Sequence, residues 1–109
     1  MTRPSNTLQG TLDLLVLKTL ERGPNHGFGI TLHIRTASEG TLRVEEGSLY
    51  PALRRLESDR VIAGEWQTTE NGRRARVYRL TDAGVRRLAE TEQRWVELTR
   101  NTARVLGYA

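Results

Sequence analysis

The chain has 109 residues, of which 37% are hydrophobic and 28% are charged. A chain of this length forms one small domain, which leaves little room for a deep active site that excludes water. Seventeen basic residues against 13 acidic ones give a formal charge of +4. This balance favours an anionic partner such as nucleic acid or an acidic membrane surface, so binding is a better first hypothesis than catalysis.

Several classes of function are disfavoured by what the sequence lacks. It has no cysteine, which removes disulfides, thiolate catalysis and thiolate metal sites, and it fits a reducing compartment. The longest apolar stretch, residues 12–20, is far shorter than the ~20 residues of a membrane span, and no apolar signal segment begins the chain. His26 and His33 have no accompanying ligand pattern. We therefore expect a cytoplasmic protein that is not an enzyme, with no membrane partner, cofactor or metal.

The first half of the chain contains one clear helix and two ambiguous segments. Apolar residues at steps of three and four predict the helix, which Thr7 or Thr11 caps and Gly23 and Pro24 end: Leu8, Leu12, Leu15, Val16 and Leu20. In residues 27–35 the apolar positions alternate as in a strand, yet Ile30 and Ile34 also lie at the i and i+4 spacing of a helix. Periodicity leaves this segment open, and residues 41–44 could form a brief strand.

A third helix is predicted from Leu49, Leu53 and Leu56, which form one apolar stripe ending at about Ser58 or Asp59. The opposite face carries Gly47, Pro51, Arg54 and Ser58, flanked by Tyr50 and Arg55. Ser48 as the N-cap would place Pro51 in the first turn, where proline is tolerated. A start one turn earlier would instead leave the carbonyl of Gly47 without its helical partner.

The second half of the sequence predicts a β-hairpin and a long helix. Two β-prone runs, residues 61–67 and 73–80, flank a turn that contains Asn71 and Gly72. Thr81 is a predicted N-cap for a helix over residues 83–106. Residues at alternating steps of three and four form a partly apolar seam on this helix: Val85, Leu88, Glu92, Trp95, Thr99, Thr102 and Leu106. So long a helix has little to pack against in a small domain, which suggests contact with a second chain.

This order of elements is typical of the winged form of the helix-turn-helix, an α+β, mainly α fold in which the third helix enters the DNA major groove. Between residues 73 and 87, six arginines stand against one aspartate, as expected of a wing that contacts phosphates. The residues we expect to bind double-stranded DNA are Ser48, Tyr50, Pro51, Arg54, Arg55, Arg73, Arg74 and Arg76. Those expected at a dimer interface are Leu88, Trp95, Thr99, Thr102 and Leu106.

The chain resembles the PadR family of transcriptional regulators over essentially its whole length. The resemblance rests on four blocks in order: Leu-Asp-Leu-Leu-Val-Leu at 12–17, His-Gly-Phe-Gly-Ile at 26–30, Gly-Ser-Leu-Tyr-Pro-Ala-Leu-Arg-Arg-Leu-Glu at 47–57, and Arg-Val-Tyr-Arg-Leu-Thr-Asp-Ala-Gly at 76–84. It implies a homodimeric winged-helix repressor of the shorter subgroup, with residues 27–35 helical. Residues 1–82 would then form the DNA-binding domain and residues 83–109 the dimerisation helix.

Two departures from the family pattern have physical consequences. Phe28 stands where the family often has tyrosine, so a hydroxyl contact is lost there. Arg60 stands where glycine is frequent, which predicts either a strained turn costing ~1 kcal/mol or another geometry.

The remaining aromatic residues leave alternatives open. Some family members stack planar aromatic ligands on a tryptophan of the last helix, and Trp95 is similarly placed, so it is either a platform for a small aromatic effector or a plain dimer-core residue. Trp66 and Tyr78 are expected to pack on the domain. The alternative to a DNA-binding regulator is a winged-helix protein-interaction module whose basic hairpin binds an acidic partner.

Overall fold

The computed structural model describes residues 4–108, with side chains from residue 10 onward. None of the helices in this part of the chain is long and apolar enough to cross a membrane. The mainly helical α+β architecture agrees with the sequence analysis. Its elements in chain order are α1 Pro4–Glu21, β1 Asn25–His26, α2 Gly27–Ala37, α3 Glu46–Ser58, β2 Ile62–Thr68, β3 Arg74–Leu80 and α4 Asp82–Leu106.

The core lies where α1, α2 and α3 meet the base of the hairpin. The predicted stripe of α3 is fully buried, since Leu49, Leu53 and Leu56 are each only 1% exposed. Burial of each such side chain stabilises the fold by ~1.5–3 kcal/mol. The stripe packs in one cluster with Leu14, Val16, Leu17, Leu20, Ile30, Ile34, Val61, Ile62, Tyr78 and Leu88.

The segment that periodicity left open is helical, as the family resemblance implies. Ile30 and Ile34 are buried one turn apart, whereas Phe28 and Leu32 are exposed. The backbone N–H of Gly29 donates to Nδ1 of His26 at 3.0 Å, which caps the first turn of α2. Burial of every fourth residue, with a side-chain cap, favours the helix over the alternating strand pattern.

The short strand suggested for residues 41–44 is wrong. Residues 41–44, which lie in the described part of the chain, form no strand, and Leu42 is exposed. The edge of the hairpin is instead paired by β1, with Asn25 opposite Tyr78 and His26 opposite Val77. The two residues that lead directly into α2 are therefore the ones held against the sheet.

The start suggested for α1 is wrong, whereas for α3 the alternative start, one turn before Ser48, is confirmed. α1 begins at Pro4, ahead of both suggested caps, and the side chain of Thr7 lies outside the described residues. α3 begins at Glu46, because the carbonyl of Glu45 already accepts from the N–H groups of Ser48 and Leu49 at 3.0 and 2.9 Å. Pro51 therefore lies in the second turn, where it offers no N–H to the carbonyl of Gly47.

The hairpin forms an antiparallel sheet in the order β1-β3-β2. Its register places Ile62 opposite Leu80 at the base and Thr68 opposite Arg74 near the tip, where Gly72 turns the chain with φ 76°. This confirms the predicted hairpin, with each strand beginning one residue later than expected.

The junction between the hairpin and α4 is tightly packed. Oγ1 of Thr81 accepts from the N–H of Gly84 at 3.1 Å, which confirms the predicted cap. A Cβ atom on Gly84 would lie 2.0 Å from the carbonyl oxygen of Val61, so only glycine lets α4 approach the hairpin this closely. Beyond Glu92 nearly every residue of α4 is exposed, and the helix extends the protein to 53 Å in its longest dimension.

Arg60, between α3 and β2, has φ 61°, which confirms the strained option rather than another geometry. Its carbonyl accepts from Oγ1 of Thr81 at 2.7 Å, so the neighbouring structure holds this backbone in place. We expect Arg60→Gly to raise the free energy of unfolding by about 0.5–1 kcal/mol, because glycine adopts positive φ without a steric cost. Arg60→Ala removes the same side chain and keeps the strain. Urea denaturation measures both free energies of unfolding. If both variants were stabilised equally, the gain would come from removal of the side chain and not from relief of backbone strain.

Candidate nucleic-acid interface

The outer face of α3 is set by the burial of its leucine stripe. Tyr50, Pro51 and Arg54 lie on the side away from the core and are exposed. Arg54 forms no ion pair in the part of the chain whose side chains are described. Its guanidinium group is thus available to an external anion or base edge, as expected of a recognition helix.

One face of the hairpin carries an exposed cluster of aromatic and cationic side chains. Trp66 lies directly opposite Arg76, with Arg74 at the diagonal position on the same face. The Cζ atoms of Arg74 and Arg76 lie 5.1 and 5.7 Å from the centroid of the Trp66 ring. Trp66 is 57% exposed, so the expectation that it packs on the domain is wrong. The hairpin pairing was the only sequence signal that could have placed it among these arginines.

Arg76 also connects the hairpin to α3. Its Nη2 atom donates to Oε2 of Glu57, and this hydrogen bond raises the pKa of the Arg76 guanidinium. Arg76 additionally lies over the ring of Tyr78, which is buried as expected, and burial raises the pKa of the Tyr78 hydroxyl. Arg76 therefore positions the hairpin, while Arg73 and Arg74 remain exposed.

Arg55 faces away from the rest of this surface. Its Nη2 atom donates to Oδ1 of Asp13 in α1 at 2.9 Å. Burial raises the pKa of the Asp13 carboxyl above its ordinary value, because desolvation outweighs the attraction of Arg55. The guanidinium group of Arg55 thus holds α3 to α1, and part of its hydrogen-bonding capacity is already used by Asp13.

A groove of about 660 Å³ brings Tyr50 together with Arg73, Arg74 and Arg76 between the hairpin and the N-terminal ends of α2 and α3. A Cβ atom on Gly27 would lie only 3.3 Å from the Tyr50 hydroxyl, so glycine leaves room for this ring. The predicted residues do not all meet here. Pro51, Arg54 and Arg55 line a separate depression, and Ser48 lies beside Leu42 and Arg43 on the far side of α3.

The basic segment 73–87 keeps most of its charge available. Arg76 is paired with Glu57, and Arg87 lies 3.4 Å from Asp59. The other arginines of the segment form no ion pair within the described side chains: Arg73, Arg74, Arg79 and Arg86. No group of three potential metal ligands is found among the residues described. The chemistry of the surface is that of an anion-binding interface.

The projecting part of α4 presents a second, apolar surface. Trp95, 44% exposed, shares one helix face with Leu98, Val105 and Leu106, which are also exposed. The sequence analysis missed Leu98 and Val105, although residues 95, 98, 102 and 105 follow alternating steps of three and four. Leu88 is only 2% exposed and belongs to the core of its own chain, which leaves it almost no surface for the expected dimer contact.

The three-helix core, the exposed recognition helix and the basic hairpin define the winged-helix class of DNA-binding proteins. Residues 16–90 match the family described as the transcriptional regulator PadR-like family. The chain therefore belongs to this family, whose members are DNA-binding regulators and not enzymes.

Known relatives and solved structures agree with this assignment. A transcriptional regulator of Mycobacterium tuberculosis is 42% identical over 82 residues, which is 75% of this chain and 70% of that protein. A PadR-family regulator of Eggerthella lenta is 34% identical with a TM-score of 0.78, covering 94% of this chain and 88% of that one. A PadR-like transcription factor of Bacteroides fragilis is 31% identical with a TM-score of 0.77, covering 93% and 95%.

The raised pKa of Asp13 predicts how stability varies with pH. Because the folded carboxyl takes up a proton more readily than the unfolded one, the free energy of unfolding should fall as pH rises from the ordinary pKa of 3.8 to the raised value. We expect Asp13→Asn to remove this fall, so that the variant gains stability relative to the wild type as the pH rises from below 3.8 through the raised pKa of Asp13. Urea midpoints across this range test it, with Glu70→Gln in the exposed turn as a control for net charge. If the wild type instead became more stable relative to Asp13→Asn as the pH rises, the expected direction of the pH dependence would be contradicted.

Proposed function

We propose that the protein is a homodimeric, sequence-specific repressor that binds a roughly palindromic operator in double-stranded DNA. In each copy α3 enters the major groove, and the hairpin contacts the sugar-phosphate backbone or the adjacent minor groove. The proposed α3 contacts are Ser48, Tyr50, Pro51, Arg54 and Arg55, and the proposed hairpin contacts are Arg73, Arg74 and Arg76. Half-sites would lie about one helical turn, ~34 Å, apart.

One observation carries this proposal. Arg54 on α3 and Arg73 and Arg74 on the hairpin are exposed, and none is neutralised by an ion pair within the described side chains. Duplex DNA offers phosphates beside the hairpin and guanine edges beside α3, so one ligand satisfies both groups. Among the predicted contacts, Arg55 and Arg76 must share their guanidinium groups with Asp13 and Glu57. We therefore rank Arg54, Arg73 and Arg74 above them.

The dimer is proposed to form through α4, with residues 1–82 as the DNA-binding domain and residues 83–109 as the dimerisation segment. Residues 1–3 and 109 lie outside the described part of the chain. Support comes from the apolar face of α4 beyond Glu92, which is exposed in a single chain. Burial against the same face of a second copy would remove this area from water. The proposed contacts are Trp95, Leu98, Thr99, Thr102, Val105 and Leu106.

Repression and effector release complete the proposal. A dimer that occupies an operator excludes other proteins from that DNA, which accounts for repression without any catalytic group. In the proposed dimer Trp95 lies at the contact between copies, which is where the family resemblance places a platform for a small aromatic effector. An effector that bound there would act by altering the dimer that sets the half-site spacing.

Substitutions on the two DNA-facing elements should have different effects. Arg74→Ala should weaken binding to every sequence and lower the slope of log affinity against log salt by about one, because one phosphate contact is lost. Arg54→Ala should cost about 1–3 kcal/mol at the operator and relax its sequence preference, because a base contact is lost. Mobility shifts with operator and unrelated DNA at several salt concentrations measure both effects.

Arg79→Ala is the matched control, since Arg79 is an exposed arginine on the opposite face of β3. It removes the same charge from the same strand. Equal effects of Arg74→Ala and Arg79→Ala would mean that net charge, rather than the Arg74 contact, governs affinity. DNA binding that showed no salt dependence would refute the interface altogether.

The dimer surface predicts a difference between neighbouring residues of α4. Trp95→Asp should convert the dimer to a monomer near 12.4 kDa, because it places a charge in the apolar contact. Val96 is similarly exposed but points about 100° away around the helix, so Val96→Asp should leave the dimer intact. Sedimentation equilibrium measures both masses. A wild-type protein that sediments as a monomer at micromolar concentration would refute the dimer.

A further inference from the structure

We infer that Phe28 recognises thymine in the major groove, through contact of its ring with the 5-methyl group of that base. The inference rests on the proposed function and deepens it, because it adds a specificity-determining residue on α2 to those proposed on α3 and the hairpin. Phe28 lies in the first turn of α2 and is 71% exposed. Its side chain lines the same groove as Tyr50 and the hairpin arginines.

The position of the Phe28 ring relative to α3 is fixed by its neighbours. The preceding residue, Gly27, is buried, and a Cβ atom there would lie 3.3 Å from the ring of Tyr50, so the start of α2 is in close contact with α3. The Phe28 ring lies beside that of His26, with centroids 6.5 Å apart and planes inclined by 21°. The His26 ring is held in turn, since its Nδ1 atom caps α2. Phe28 and α3 would therefore approach the DNA together.

Phe28 is the ring of this groove that is least suited to an anion. Trp66 is faced by the guanidinium groups of Arg74 and Arg76, which offer their N–H groups to phosphate. Tyr50 ends in a hydroxyl group, which can donate to phosphate or to a base edge. None of the cation–π contacts between described side chains involves Phe28. It thus places an apolar group on a surface that otherwise offers hydrogen bonds and charge.

The chemistry of duplex DNA selects the partner of this ring. In the major groove the base edges present hydrogen-bond donors and acceptors, and the 5-methyl group of thymine is the apolar group. A phosphate oxygen against the ring would face its negative π-surface and would lose water without gaining a hydrogen bond. Contact with a methyl group instead removes apolar surface of both partners from water. Phe28 therefore favours thymine over cytosine, which has no methyl group at this position.

Replacement of thymine by uracil removes this methyl group alone, so it tests the contact directly. The probe is duplex DNA that the full-length wild-type protein selects from a library of random sequences, resynthesised with uracil at one thymine at a time. Uracil at the contacted thymine of one half-site should raise the Kd about fourfold, as expected for the loss of one buried methyl group. Mobility shifts measure the Kd of each duplex.

Substitutions assign the uracil effect to Phe28. In Phe28→Ala the ratio of the two Kd values, uracil over thymine, should fall from about four to about one, because no ring remains to contact the methyl group. Leu32→Ala is the matched control, since Leu32 is exposed on the same face of α2 one turn further on and is not among the described residues that line the groove. It should keep the fourfold ratio. Arg74→Ala should weaken binding to both duplexes equally and also keep the ratio.

Several results would overturn the contact while leaving the proposed function intact. They are selected DNA in which no thymine is sensitive to uracil, an unchanged uracil effect in Phe28→Ala, and an equal loss of the effect in Leu32→Ala. Weaker binding by Phe28→Ala without a uracil effect in the wild type would assign the ring to deoxyribose instead. A protein that selects no sequence from the library would refute the proposed function, and the contact with it.

Discussion

Burial of the leucine stripe of α3 is the interaction on which the rest of this surface depends. Leu49, Leu53 and Leu56 are almost fully inaccessible in the cluster formed with α1, α2 and the hairpin base. Rotation of α3 by one residue, about 100°, would expose leucine and bury the guanidinium group of Arg54, and both changes are unfavourable. The outward direction of Arg54 and Tyr50 is thus a consequence of core packing. A recognition surface obtained in this way needs no stabilising contact of its own.

The basic residues divide into those that hold elements together and those left for an anion. Arg55 joins α3 to α1 through Asp13, and Arg76 joins the hairpin to α3 through Glu57. Both pairs are partly exposed, so each contributes only about 0–1 kcal/mol to stability, but each fixes the direction of a long side chain. Arg74, by contrast, is in contact with the ring of Trp66 and remains open to solvent. The positive electrostatic potential of this surface therefore comes from fewer unpaired arginines than the number of arginines in the sequence indicates.

The two tryptophans mark two surfaces with different partners. Trp66 lies among arginines on the hairpin, where a ligand must carry negative charge. Trp95 lies on the part of α4 beyond the domain, on a face with Leu98 and Leu106, where the partner must be apolar. Because α4 projects away from the core, each surface can be filled while the other is free. This separation allows the proposed contact with an anion and the proposed contact between copies to lie on one small chain.

The sequence by itself determined the elements whose residues interact locally. Spacings of three and four predicted α1, α3 and α4, and Gly72 and Thr81 predicted the hairpin turn and the cap of α4. Local pattern failed for the segment that contains Phe28, Ile30, Leu32 and Ile34, because its spacing fits both the period of a strand and that of a helix. Only the packing of the core shows which of these residues are buried. It failed again for the edge strand, since any short segment can pair with β3 and only the path of the chain selects Asn25 and His26.

Tertiary structure alone decided which charged and aromatic residues are available. The position of the hairpin against α3 determines that Glu57 pairs with Arg76 and not with Arg54. It also determines that Trp66 faces the solvent and not the core. These contacts join residues far apart in sequence, so composition and spacing carry no information about them. The sequence determined that a basic winged helix would form, because periodicity and caps act within a few residues. The packing of the hairpin determined which of its arginines can bind, because a charge is neutralised by its neighbours in space.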